Sequence, residues 1–94
     1  MTAYIIKGKY IDSGREYYLD RDGYVVVNIQ YLRKHECYTE RGAKQVATKK
    51  TKADAEQAAY YDRCNAERVR NGKEPFNYAF NQCVYEAFAI EITD

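Results

Sequence analysis

The stretch YLDRDGYVVV at residues 18–27 decides the fold class of this chain, because it joins two segments of β-forming residues through a tight turn. The Asp-Gly pair at positions 22–23 favours a hairpin turn, since glycine adopts positive φ without steric cost. Residues 15–19 before the turn and residues 24–32 after it are therefore predicted as neighbouring antiparallel strands. A preceding strand is predicted over residues 3–10, so that the three together form a meander.

Alternation within residues 24–32 indicates which side of this sheet is buried. Val25, Val27 and Ile29 share one face of the predicted strand, and the opposite face turns polar after Val26. That pattern is typical of an antiparallel sheet with one face against a core and the other in water.

The second half of the chain predicts one main helix followed by a last strand. Thr51-Lys52-Ala53-Asp54 approximates a capping box, and Gly72 with Pro75 beyond it marks the helix end. The residues predicted to lie against the sheet form a small-residue stripe: Ala55, Ala58, Ala59, Ala66 and Val69. Residues 45–47 are a candidate fourth strand, residues 83–93 read as a strand, and residues 76–82 fit both helix and strand.

These elements predict one α+β domain over residues 1–94. We expect an antiparallel meander of three to five strands with one main helix packed on one face, in the order β-β-β-(β)-α-β. A chain of 94 residues with 46% apolar and 31% charged side chains is typical of a folded domain. No apolar run reaches the roughly 18–20 residues that a membrane span requires, so we expect no membrane contact.

Charge is distributed unevenly along the chain despite a net value of +1. Residues 33–52 hold seven basic and two acidic residues, whereas residues 53–94 hold four basic and eight acidic ones. A local basic strip of this kind favours contact with phosphates or with an acidic protein surface. A solvated loop with ordinary surface lysines is the alternative interpretation.

Catalytic and metal-binding patterns are weak in this sequence. His35 is the only histidine and Ser13 the only serine, and Ser13 falls in a predicted turn. His35-Glu36-Cys37 is the one cluster of metal-ligand types, and a structural zinc site needs four ligands. We therefore predict a protein that is not an enzyme and has no cofactor or metal.

Cysteine and tyrosine usage favour a cytoplasmic binding protein. Three cysteines without a C-x-x-C pair are unlike the even disulfide framework of small secreted domains. Eleven tyrosines with no tryptophan supply rigid contact area that carries a hydroxyl, which binding surfaces favour. Most of these tyrosines fall on predicted strands, so the contact surface is expected on a half-exposed sheet.

The order of elements resembles a family of small phage-encoded inhibitors of host defence, the anti-CRISPR proteins. The resemblance covers about residues 15–70: short strands with Asp-Gly turns, then Thr51-Lys52-Ala53-Asp54-Ala55 opening an alanine-rich helix. It implies a non-enzymatic protein in the cytoplasm of a bacterial host, which binds a host protein or ribonucleoprotein such as a Cas effector. The helix start at residues 49–59 is also similar to that of double-stranded-RNA-binding domains, and the strand order is similar to that of AP2 domains.

The sequence therefore predicts an inhibitor that binds a nucleic-acid-handling host complex, as a monomer or a homodimer. The alternative is a small domain that contacts RNA or DNA phosphates directly, and a third possibility is a homo-oligomeric structural protein. The predicted partner-binding residues are the cations of the basic strip with two tyrosine anchors: Arg33, Lys34, Arg41, Lys44, Lys49, Lys50, Tyr31 and Tyr38.

Overall fold

A computed structural model describes residues 1–93 and confirms an α+β fold. Two short 3₁₀ turns, Ile29–Tyr31 and Lys34–Glu36, separate the first two strands from the helix. The regular elements, in chain order, are β1 (Thr2–Tyr10), β2 (Glu16–Leu19), α1 (Glu40–Arg70) and β3 (Cys83–Glu91).

The three strands form an antiparallel sheet in the order β2-β1-β3. β1 is central, with Gly8 opposite Tyr17 of β2 and Lys7 opposite Glu86 of β3. The last strand of the chain therefore pairs with the first. The strand predicted over residues 83–93 is present as β3, Cys83–Glu91. Because side chains alternate along β1, Ile5 and Ile6 point to opposite faces of the sheet, and each is fully buried.

One face of the sheet carries the first half of α1. Ala43 and Ala47 lie one helical turn apart and pack on Ile6 and Leu19. These small side chains let the helix backbone approach the sheet closely. The tyrosines that surround this contact, with their rings half-buried at its margin, are Tyr4, Tyr17, Tyr38 and Tyr85.

The opposite face is covered at one end by the loop that follows β2. Ile5 and Ile90 form its core together with Leu32 and Cys37 from that loop. At the open end of the same face Lys7 forms ion pairs with Glu16 and with Glu86, the latter at 3.2 Å. Both faces of the sheet are thus partly covered, so the expectation that one face lies against a core and the other in water is wrong.

The hairpin turn is present, but the predicted third strand at residues 24–32 is not. Gly23 has φ of 87°, and the Val26 amide donates to the Tyr18 carbonyl at 2.8 Å. Pairing stops there because the Asn28 side chain accepts from the Gln30 amide and starts a 3₁₀ turn. Val27 is 97% exposed, so its side chain gains nothing from a continued strand.

The helix begins eleven residues before the predicted start at Thr51. Thr39 is the actual N-cap, and its hydroxyl accepts from the Gly42 amide at 3.1 Å. The candidate fourth strand at residues 45–47 is therefore helical. Thr51 has another role: its hydroxyl bonds the backbone of Tyr85, accepting from the amide at 2.8 Å. Gly72, with φ of 76°, follows the helix end as predicted.

The predicted packing stripe of the helix is wrong for its second half. Ala55, Ala59, Ala66 and Val69 are exposed, and Ala58 is half-buried. The helix instead turns Tyr61 and Asn65 toward the irregular segment 73–82. We call helix residues 55–70 together with segment 73–82 the distal arm. Segment 76–82 is neither helix nor strand, and Tyr78 stacks on Tyr61 with ring centroids 4.3 Å apart.

Candidate anion-binding cleft

A cleft of about 730 Å³ lies where β1 and α1 begin. Its wall combines the start of β1 with the loop that precedes α1. The side chains that give it chemical character are Arg21, Arg33, Lys34, His35 and Tyr38, with Thr39 at the helix cap.

Backbone pairing fixes the loop that carries these residues. Tyr38 pairs with Tyr4 on the free side of β1, with N–O distances of 2.7 and 3.1 Å. The Arg21 amide donates to the Glu36 carbonyl at 2.8 Å, which joins the hairpin turn to the second 3₁₀ turn. Two segments that are distant in sequence are thereby held side by side in the wall of the cleft.

The electrostatics of the cleft favour an anion. Within residues 1–93, every formally charged side chain on its wall is a cation, and neither the Arg21 nor the Arg33 guanidinium forms an ion pair. The Glu36 carboxylate turns away from the opening and accepts from the Arg33 amide at 3.0 Å. The N-terminus of α1, at Thr39, adds the positive end of a helix dipole.

Glu40, the acidic residue nearest the helix start, has its negative charge paired with Lys44 and hydrogen-bonded by Tyr4. Its carboxylate accepts from Lys44 Nζ at 2.8 Å and from the Tyr4 hydroxyl at 3.0 Å. The Lys44 hydrogen bond is the larger cause of a Glu40 pKa held below its ordinary value, with Tyr4 second. Lys44 thus forms an ion pair with Glu40 on the exposed surface of the helix, outside the wall of the cleft.

Tyr38 orders the cleft and is not an exposed anchor. Its hydroxyl donates to the Arg21 carbonyl at 3.2 Å. Burial raises the Tyr38 pKa, Asp20 and Asp22 add to the rise, and Arg21 opposes it. The group therefore stays a phenol at neutral pH and holds the hairpin turn against the loop.

The structure brings only part of the predicted basic strip together. Arg33, Lys34 and Tyr38 meet in the cleft, whereas Tyr31 is 75% exposed on the loop outside its wall. Helix geometry spreads the remaining cations around α1 instead of gathering them: Arg41, Lys44 and Lys49 are exposed, and Lys50 is half-buried over the Tyr85 ring at 5.8 Å.

Arg21 and His35 are cleft residues that the sequence-based prediction missed. Arg21 lies between Asp20 and Asp22, so the net charge of this stretch of sequence does not show a basic residue. Neither aspartate lines the cleft. The Asp20 carboxylate accepts hydrogen bonds from the amides of Asp22 and Tyr24 at 2.9 and 3.0 Å, and Asp22 is exposed. No sequence signal indicated that the turn faces the loop at residues 33–38.

A second polar cluster lies between the sheet and the middle of α1. The Tyr17 hydroxyl lies 3.1 Å from that of Tyr85 and 3.5 Å from Cys83 Sγ. Burial is the first cause of a strongly raised Tyr17 pKa, with the Tyr85 hydrogen bond second. These hydroxyls stay neutral and satisfy one another beneath the helix, which is a structural role.

Comparisons of the chain with protein-family models, with curated proteins and with solved structures found no match. Among residues 1–93, no group of three or more histidine, cysteine, aspartate or glutamate side chains is placed to hold a metal ion. Within the same residues, no helix has both the length and the apolar character needed to cross a membrane.

Proposed function

We propose that this chain is a non-enzymatic binding protein that attaches to an anionic surface of a nucleic-acid-handling complex in a bacterial host and inhibits it. The observation that carries the proposal is the cleft on whose wall, among residues 1–93, the charged side chains are Arg21, Arg33 and Lys34. Arg21 and Arg33 line it from two different segments, so both guanidinium groups would be available to one bound carboxylate or phosphate. Guanidinium groups favour such contacts because they donate two parallel hydrogen bonds.

A folded protein or ribonucleoprotein surface suits this cleft better than a naked strand. Single-stranded nucleic acid is bound by a continuous basic groove with exposed aromatic rings for base stacking. Here the basic residues are divided between the cleft and the outer surface of α1, and the hydroxyl of Tyr38 is already bonded. An isolated acidic projection of a partner matches a compact cleft.

The test is a charge reversal in the cleft with a matched reversal elsewhere. Arg21→Glu combined with Arg33→Glu should weaken binding to a purified RNA-guided defence effector, loaded with its guide RNA, at least about tenfold. Arg63→Glu, an exposed arginine of the distal arm, should leave binding unchanged. Binding is measured by fluorescence anisotropy and inhibition by the rate of target cleavage, after circular dichroism has verified each fold.

A gel shift with naked RNA and DNA separates this proposal from direct nucleic-acid binding. The direct binder would retard both at low salt, and the complex would weaken steeply as salt rises. The inhibitor proposal is overturned if the wild-type chain binds no loaded effector, or if the double reversal binds as well as wild type.

A further inference from the structure

The outer edge of β3 carries a row of backbone amides and carbonyls. Only those at the beginning of the strand are hydrogen-bonded by other parts of the chain. The Ile92 amide donates to the Met1 carbonyl at 2.9 Å, so the even-numbered residues of β3 bond toward β1. The odd-numbered residues therefore direct their amides and carbonyls outward, away from the sheet.

Two side chains of α1 cover the beginning of this edge. The Cys83 amide donates to Asp54 Oδ2 and the Tyr85 amide to Thr51 Oγ1, each at 2.8 Å. Further along, the amides of Ala87 and Ala89 have no hydrogen-bond partner within residues 1–93. The other sheet edge is different, because Val26 pairs with Tyr18 of β2 at 2.8 Å.

Residues 87–91 also lack the features that protect exposed strand edges. They contain no proline and no lysine, and β3 continues through them without interruption. Their one charged side chain, Glu91 at the end of the strand, pairs with the Met1 amine at 3.3 Å. An unprotected edge of this kind is a template on which another strand can form a ladder.

We propose that the edge at residues 87–91 pairs antiparallel with the same edge of a second copy of the chain, about a two-fold axis at Ala89. Ala89 of one copy then faces Ala89 of the other, and Ala87 faces Glu91. The two edges would form about six ladder hydrogen bonds. The result is a six-stranded sheet that runs through both copies, with each sheet's covered β2 edge on the outside. This dimer does not depend on the anion-binding cleft.

Side chains on both faces suit this self-pairing. On the loop-covered face, Phe88 of one copy lies beside Ile90 of the other, which extends the apolar cluster across the axis. On the helix face, small Ala87 and Ala89 leave room, and no like charges stand directly opposite.

Self-complementarity of the edge favours a second copy as the occupant, because one two-fold pairing sets Phe88 beside Ile90 and small Ala87 opposite Glu91. Glu91 of one copy faces Ala87 of the other, two residues along the same face from Tyr85. Lys50 lies over the Tyr85 ring at 5.8 Å. Glu91 pairs with the Met1 amine of its own copy at 3.3 Å and accepts from the Thr2 hydroxyl, and Lys50 of the other copy would add a second cation to this exposed cluster. The helices leave the axis open because α1 bonds β3 at Tyr85 and Cys83, four or more residues from Ala89.

The test exploits the fact that Ala89 contacts itself across the axis. Ala89→Lys and Ala89→Glu each place like charges opposite one another, and the exposed position tolerates either side chain in a single copy. Wild type should sediment at about 22 kDa, twice the chain mass of 11.0 kDa. Each variant alone should sediment as one chain, and an equal mixture of the two should return to the dimer mass.

Val84→Lys is the matched control. Val84 is a 40% exposed residue of the same strand, and its backbone bonds toward β1, so the variant should remain a dimer. Hydrogen exchange supplies a second measurement: the Ala87 and Ala89 amides should be protected in wild type and exchange faster in Ala89→Lys. The proposal is overturned if wild type stays at the single-chain mass at millimolar concentration, if Ala89→Lys remains dimeric, or if the mixture does not associate.

Discussion

The two halves of α1 are held by different forces. Residues 40–54 belong to the body of the protein, which includes the sheet, and there Ile5 and Ile6 are fully buried. In the distal arm no residue reaches that burial, and Phe76 and Tyr60 are 54% and 51% exposed. The arm is held by ring contacts around Tyr61 and by the Asn65 side chain, which bonds the Phe76 backbone twice.

The difference explains the elongated shape of the molecule, which measures 60 × 23 × 19 Å. The body consists of a helix packed on a sheet, whereas the arm consists of a helix with the irregular segment 73–82 packed beside it. A helix segment of this length is marginal in water without tertiary contacts. Stability should therefore fall from the body to the tip of the arm, and local opening should begin in the arm.

The largest predicted effect is the loss of the body core in Ile6→Ala. Ile6 is fully buried and packs under Ala43 and Ala47. Truncation of a buried isoleucine costs about 2–5 kcal/mol, out of a total near 5–10 kcal/mol for a domain of this size. Urea unfolding followed by circular dichroism should show a much lower midpoint, with arm and body unfolding together.

Val27→Ala is the control for this core substitution. Val27 is also an aliphatic residue but is 97% exposed, so its truncation should change stability by less than about 0.5 kcal/mol. A comparable loss in both variants would contradict the assignment of the core to the helix face of the sheet.

The next effect is Asn65→Ala, which should open the arm and leave the body intact. The variant loses the bonds from Asn65 Nδ2 to the Phe76 carbonyl at 3.1 Å and from the Phe76 amide to Asn65 Oδ1 at 2.8 Å. Two such bonds contribute about 1–3 kcal/mol. Hydrogen exchange should quicken at the amides of residues 58–70, while those of β1 keep their protection.

Gln57→Ala is the matched helix variant, because the exposed Gln57 side chain has no hydrogen bond to another residue in the described part of the chain. It should slow exchange slightly or leave it unchanged, since alanine is the better helix former. If Asn65→Ala lowers protection in β1 as much as in the arm, the two regions are one cooperative unit.

The fold class was predictable because its signals are local. The turn at Asp22-Gly23 and the alternation of β3 need no knowledge of the rest of the chain. The helix start was not predictable, because Thr39 and Thr51 are both acceptable N-caps. Packing of Ala43 and Ala47 on Ile6 decides between them, and that contact joins residues about 40 positions apart.

The candidate site also contains residues that the sequence could indicate and one that it could not. Arg33, Lys34 and Tyr38 are close in sequence, and a local excess of basic residues was enough to indicate them. Arg21 enters the cleft only because Tyr38 pairs with Tyr4 and the Glu36 carbonyl accepts from the Arg21 amide. Charge counted along the chain contains no information on such long-range pairs.

The smallest predicted effect is on the pH dependence of stability, which should differ between removal of the Glu16 carboxylate in the body and removal of the Glu56 carboxylate in the arm. Lys7 bonds Glu16 and so holds the Glu16 pKa below its ordinary value of 4.5. The unfolded chain then takes up this proton at higher pH than the folded one, so the ion pair stabilises the fold above about pH 4.5. That contribution is lost as pH falls through the folded pKa. Glu16→Gln removes it.

The urea midpoint of wild type should therefore decline more steeply between about pH 5 and pH 3 than that of Glu16→Gln. Glu56→Gln is the arm control, since the exposed Glu56 carboxylate forms no ion pair within residues 1–93. Its profile should follow wild type, and raised salt should narrow the gap between Glu16→Gln and wild type because exposed ion pairs are screened. Equal profiles for Glu16→Gln and wild type would mean that the ion pair at the open end of the loop-covered face contributes nothing to the stability of the body.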